Sequence, residues 1–185
     1  MSARFLLRYL REPALVGAVV PSSRHLAAAM SRQARGYDRI FELGAGSGAI
    51  THQLVQDHGM HRLSIFEFDS AMARELARLY SGSKVYDGCL HERPEPFVTA
   101  PARSIAVSAL PFRSLPSEVL MPTVALIEEF LLAHPERHLV QFTYGLREPF
   151  EVRAPELTWK RVQRVWANVP PATVWQLAQR TGTVA

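Results

Sequence analysis

The stretch from Arg39 to Asp57 constrains the fold more than any other part of this chain: a short apolar run, a glycine-rich loop, then a helix-like segment. Arg39–Leu43 reads as a buried strand, 44–48 (Gly-Ala-Gly-Ser-Gly) as a turn, and Ala49–Asp57 as a helix. Glycines in that position let the backbone approach a ligand closely and reach dihedrals closed to other residues. Taken alone, G-x-G-x-G also suits an ordinary tight turn. A second signal stands nineteen residues past Gly48, where Glu67 lies near the end of the next strand, Leu63–Phe68. A carboxylate there can accept both hydroxyls of a ribose. Glu42 before the loop and Glu67 after it form a pair that a simple turn does not require.

Strand and helix patterns alternate through the rest of the chain. A helix is expected from Ser70 to Tyr80, a short strand around Val85, and a strand from Ser104 to Leu110. A helix over Ser117–Ala133 and a strand over Leu139–Thr143 follow. Thr158–Val169 and Thr173–Gln179 pair as a terminal hairpin. This order argues for an α/β fold with a parallel sheet and helices on both faces. At the other end, Ala3–Arg11 reads as a short basic helix with Arg4, Arg8 and Arg11 on one face and Phe5, Leu6, Tyr9 and Leu10 mainly away from it. Ser22 or Ser23 can cap a second helix running to Gln33.

A chain of 185 residues favours one domain, read here as an N-terminal helical segment, 1–35, on a core of 36–185. No apolar run approaches the roughly 20 residues that span a bilayer. No secretory signal is expected, because Phe5–Leu10 is short and Arg8 interrupts it. One cysteine, Cys89, excludes an internal disulfide framework and a multi-cysteine zinc site, and His91, His134 and His138 show no ligand spacing, so no metal is expected. The formal charge of +4 is concentrated in residues 1–35, which hold six arginines against Glu12. That asymmetry suggests an anionic surface met by the N-terminal end, although solvated arginine-rich helices are also common.

A dinucleotide site would prefer G-x-G-x-x-G. The spacing G-x-G-x-G, with Glu42 two places ahead of Gly44, instead resembles motif I of the S-adenosylmethionine-dependent methyltransferases. The resemblance implies a Rossmann-like fold: a mostly parallel seven-stranded sheet whose last strand is antiparallel. It also implies that S-adenosylmethionine is the cofactor, its methionine part cradled at Glu42, Gly44, Ala45 and Gly46 and its ribose on Glu67. Phe68 would pack on the adenine. The adenine amino group would meet Asp87, or else backbone groups of Gly88 and Cys89, since Asp87 stands one place earlier than in the usual motif.

Ser108-Ala109-Leu110-Pro111-Phe112 occupies the place of the acceptor motif. Adenine-N6 methyltransferases carry Asn or Asp where this chain has Ala109, so the side chain that reads a base is missing. Several blocks together resemble the bacterial phospholipid N-methyltransferases: Leu7-Arg8 through Gly17–Ser23, the Glu42 loop, Ser108–Pro111 with Ser114–Pro116, Gln141–Gly145, and Asn168–Ala172. That resemblance implies stepwise methylation of phosphatidylethanolamine toward phosphatidylcholine, without nucleic acid, by a monomer at the inner face of the cell membrane. The N-terminal helix would then meet anionic lipid through Arg4, Arg8 and Arg11 with Phe5 and Tyr9 in the acyl boundary, or close over the cofactor as a lid. Ser108 would line both the cofactor and the acceptor. Tyr144 is the first choice for a hydroxyl that orients the amine. Asn168 either presents its amide to the site or satisfies its turn. Arg113 or Arg147 would take the lipid phosphate. The competing readings are an rRNA adenine dimethyltransferase, a methyltransferase of soluble amines, and a non-catalytic membrane-binding module.

Overall fold

The computed structural model describes residues 23–180. The basic helix expected over 3–11 and the alternative cap at Ser22 lie outside them. The described chain opens with α1 (Arg24–Gln33), whose first turn is capped by Ser23: its hydroxyl accepts from the Leu26 N–H. Then come β1 (Arg39–Leu43), α2 (Ala49–His58), β2 (Leu63–Glu67), α3 (Ser70–Leu79), β3 (Lys84–Asp87) and the short α4 (Glu95–Val98). The second half holds β4 (Ser104–Ser108), α5 (Ser117–Leu132), β5 (His138–Thr143), β6 (Leu157–Val165) and β7 (Ala172–Gln179).

The seven strands form one sheet in the order β3-β2-β1-β4-β5-β7-β6. The first five pair in parallel, and β7 enters antiparallel between β5 and β6. This is the sheet expected from motif I. β2 and β4 are buried along their whole length, as the interior of a parallel sheet covered on both faces requires. Side chains alternate across the pleat, so Ile40 and Phe41 serve opposite cores. Ile40, Ile65, Ile105 and Val140 pack beneath α1 and α2 with Leu26, Met30, Ile50 and Leu54. Phe41, Phe66 and Leu139 pack beneath α5 with Phe97, Ile127 and Phe130. There the Phe97 and Phe130 rings stack at 4.1 Å, and Phe41 meets both edge-on.

Most boundaries fall within one or two residues of expectation. The hairpin is the exception: its first strand stops at Val165 rather than Val169, and 166–171 form a tip with a cis Val169–Pro170 bond. The sequence here offers no ladder, since Pro170 and Pro171 lack the N–H that pairing needs.

Candidate cofactor and acceptor site

Parallel pairing of β1 to β5 brings all their C-terminal ends to one edge of the sheet, and open α/β sheets bind ligands at that edge. The glycine loop, Glu67 with Phe68, 87–89 (Asp-Gly-Cys), 108–111 (Ser-Ala-Leu-Pro) and 144–147 (Tyr-Gly-Leu-Arg) therefore come together there.

Glu67 is buried, and both its oxygens hold backbone: Oε2 accepts the Gly46 N–H at 2.7 Å and Oε1 the Asp69 N–H at 2.8 Å. The first bond ties the glycine loop to the end of β2. The second orients Asp69, whose carboxylate caps α3 by accepting from Ala71 and Met72. Each carboxylate oxygen has a further lone pair for a ligand hydroxyl. Within the loop, Gly44 has φ +75° and its N–H donates to the Phe66 carbonyl at 2.8 Å. Gly46 has φ +55°, and a Cβ built on it would meet nothing within 4 Å, so open space lies above the loop. A carboxylate fixed beside a loop with room above it fits a ribose and the chain attached to it.

Glu42 lies elsewhere than expected. It is fully buried, and among the described residues neither carboxylate oxygen has a hydrogen-bond partner. It sits beneath the loop rather than lining it, because residue 42 of β1 points toward the α2 face, where Thr51 is buried. Burial above all, with a smaller push from Glu67, raises its carboxyl to about 8, against the opposing pull of Thr51. The folded-state value exceeds the ordinary 4.5, so the folded chain holds the extra proton and stability falls as pH rises from about 4.5 toward about 8. Glu42→Gln should remove that slope. Thermal melts of the cofactor-free protein are expected to coincide near pH ~5 and to favour the variant by about 5 °C or more near pH ~8.5, the effect of a few kcal/mol in a chain of this size. Parallel curves for the two proteins would contradict it.

Past β3, the Gly88 N–H donates to the Glu67 carbonyl at 3.0 Å and the Cys89 N–H to Glu92 Oε2 at 2.9 Å. Both N–H groups are engaged within the turn, so an adenine amino group, itself a donor, would be met by a carboxylate or a backbone carbonyl. Asp87, exposed and held through Oδ1 by Ser70, keeps its second oxygen. Phe68 is half-buried beside it. Burial, then Glu92 and Glu67, pushes the Cys89 thiol up to about 11, so it stays a neutral thiol. Cys89, His91 and Glu92 place their ligating atoms within 4.8 Å of one another. Glu92 is engaged with the Cys89 amide there and His91 Nδ1 pairs with Thr123 Oγ1 at 3.3 Å, which accounts for the grouping as a capped turn.

On the acceptor side, the Ala109 N–H donates to the Leu43 carbonyl at 2.9 Å, locking this segment against the end of β1. Ser108 is fully buried with its hydroxyl accepting from the Leu110 N–H at 3.2 Å; it shapes the turn instead of facing a ligand. Gln141, which the sequence marks only as the start of the Gln141–Gly145 block, is a buried polar residue between the apolar Val140 and Phe142 of β5. Its Nε2 donates to the carbonyls of Leu110 at 3.1 Å and Phe142 at 2.8 Å, fixing the acceptor turn from β5. Tyr144 is half-buried, edge-on to Phe142, and its buried hydroxyl has no hydrogen-bond partner among the described residues; burial raises it above its ordinary 10, so it remains protonated. Asn168 serves its turn: Oδ1 accepts the Ser23 N–H at 3.2 Å and Nδ2 donates to the Pro170 carbonyl at 2.8 Å. Arg113 and Arg147 are exposed on the loops after β4 and β5.

Sheet order, the antiparallel β7 and the loop–carboxylate pair define the Rossmann-like fold of the S-adenosylmethionine-dependent methyltransferases. Solved structures of such enzymes match it. The TehB-like methyltransferase of Corynebacterium glutamicum is 14% identical, with 96% of this chain and 98% of that one covered and a TM-score of 0.59. The 1,6-didemethyltoxoflavin-N1-methyltransferase of Burkholderia thailandensis, bound to its substrate and S-adenosylhomocysteine, is 14% identical over 97% of this chain and 91% of that one, with a TM-score of 0.58. The 23S rRNA methyltransferase ErmE is 19% identical over 86% and 69%, with a TM-score of 0.53. At these identities the likeness is one of fold. No family model matches the chain, and no curated protein matches it.

Proposed function

We propose that this chain transfers a methyl group from S-adenosylmethionine to the amine headgroup of phosphatidylethanolamine and its partly methylated forms, at the inner face of the cell membrane. One observation carries the acceptor class. The turn after β4 is built from buried Ser108, half-buried Ala109 and Leu110, with Tyr144 as the neighbouring hydroxyl, and no amide or carboxylate stands where a planar base would be held. In this reading Glu67 holds the ribose, the glycine loop borders the methionine part, and Phe68 and Asp87 border the adenine. The cofactor supplies an electrophilic methyl on a sulfonium. The chain contributes alignment of the attacking amine, which can account for much of the rate of such a displacement. The amine must shed its proton before it attacks. Tyr144 then orients it, and Arg113 or Arg147 takes the lipid phosphate.

Tyr144→Phe tests the orienting role. A buried hydroxyl without a partner costs about 1–3 kcal/mol, so the variant is expected to melt no lower than the parent. Cofactor affinity should hold while methyl transfer falls about tenfold, the size of one lost hydrogen bond in the reacting complex. Unchanged transfer would remove Tyr144 from the site.

The substrate is tested by offering labelled S-adenosylmethionine with phosphatidylethanolamine vesicles, with ethanolamine, and with rRNA, then separating the products. Label in mono-, di- or trimethylated lipid supports the proposal. Label confined to RNA or to the soluble amine overturns it in favour of the corresponding alternative.

A further inference from the structure

Eight large apolar side chains are exposed among the described residues. The three most exposed are Val169 (77%), Trp166 (72%) and Leu146 (61%). Trp166 and Val169 form the tip of the β6–β7 hairpin and Leu146 lies in the loop after β5. The pairings Thr143↔Thr173 and Val165↔Ala172 put tip and loop at the same sheet edge as the cofactor and acceptor turns. The other five, on α3, α4 and α5, are scattered and none exceeds 49%.

The hairpin that carries Trp166 and Val169 is basic, while the loop of Leu146 holds Arg147 and Glu148. From Leu157 to Gln179 the hairpin carries Lys160, Arg161 and Arg164 and no acidic residue. The Arg164 guanidinium lies over the Trp166 ring, 4.7 Å from its centroid. An indole with a cation on its face is suited to the boundary between headgroups and acyl chains. The tip also holds the point at which residues 1–22 join the fold, since Asn168 Oδ1 accepts the Ser23 N–H. That segment carries Arg4, Arg8 and Arg11 against Glu12 alone. Basic residues on the hairpin and in the sequence of 1–22 both suit an anionic partner.

We infer that the hairpin tip is a membrane-docking element: Trp166 and Val169 enter an anionic lipid surface while Arg164 meets its headgroups, bringing the acceptor edge against the bilayer. The inference rests on the lipid reading above and gives that reading a second anchor, separate from the N-terminal segment. Basic residues next to such a surface each contribute about 1 kcal/mol, so docking is reversible.

Sedimentation of the full chain with phosphatidylglycerol vesicles tests it, because that lipid is anionic and has no amine to methylate. Trp166→Asp with Val169→Asp is expected to weaken binding at least tenfold. Affinity for S-adenosylhomocysteine and turnover of a monomeric short-chain phosphatidylethanolamine should be unchanged. Vesicle binding equal to that of the parent overturns the inference. Should the double variant lose cofactor binding, and hence its fold, brominated lipid decides instead: quenching that disappears in Trp166→Phe supports docking, and quenching unaffected by that change overturns it. Docking that depends on the tip, in a chain that never labels phosphatidylethanolamine, would overturn the acceptor proposal and leave this one standing.

Discussion

Glu67→Ala is expected to weaken binding of S-adenosylmethionine by about a hundredfold or more. The carboxylate is assigned two ribose hydroxyls, and a hydrogen bond to a charged acceptor is worth about 1.5–3 kcal/mol, so two of them give about 3 kcal/mol at least. The substitution also frees the Gly46 and Asp69 amides, now held at 2.7 and 2.8 Å, and so loosens the loop. Glu67→Gln is no gentler remedy. Both oxygens accept backbone N–H groups, so an amide must turn its own NH2 toward one of those donors. Calorimetry with S-adenosylhomocysteine should therefore rank the glutamine variant close to the alanine variant and far below the parent. A glutamine variant of parental affinity would contradict the assignment of the ribose hydroxyls to this carboxylate.

The two glycines of the loop are predicted to fail in different ways. At Gly44 a Cβ would lie 2.8 Å from Leu110 Cδ2, at φ +75°. Gly44→Ala therefore combines backbone strain of about 1–2 kcal/mol with displacement of Leu110 from the acceptor turn. A fall in melting temperature of roughly 4–8 °C, with loss of transfer, is expected. At Gly46, φ is +55° and the same atom would meet nothing within 4 Å. Gly46→Ala should leave stability within about 1–2 kcal/mol yet lower cofactor affinity at least tenfold, because the added methyl fills the space assigned to the ligand. Parental affinity in Gly46→Ala would place the cofactor elsewhere.

The sheet could be read from the sequence because burial on both faces leaves a local mark: β1, β2, β4 and β5 are short apolar runs, each followed by a turn signal and most by a helical pattern. The loop and Glu67 were legible for the same reason, being fixed by their distance along the chain from those strands. What escaped depends on partners remote in sequence. Asn168 is held by Ser23, 145 residues away, and no spacing rule indicates that pairing. Ser108 and Glu42 lie at strand positions that motif logic assigns to the ligand. The pleat turns Glu42 inward beneath α2, and the turn draws the Ser108 hydroxyl onto Leu110. Gln141 stands between the apolar Val140 and Phe142, but only the structure shows it holding the Leu110 carbonyl. The hairpin tip was extended too far because its strand pattern continues through Trp166; the turn closes earlier, where the Asn168 amide meets Pro170.

The most direct test of the site is a crystal structure of the chain with S-adenosylhomocysteine. The account predicts its ribose on Glu67, its amino-acid part over Gly44–Gly48, its adenine between Phe68 and Asp87, and its sulfur facing the turn of Ala109 and Leu110. A ligand bound away from this edge, or one that leaves Glu67 in contact with Gly46 and Asp69 alone, would contradict it.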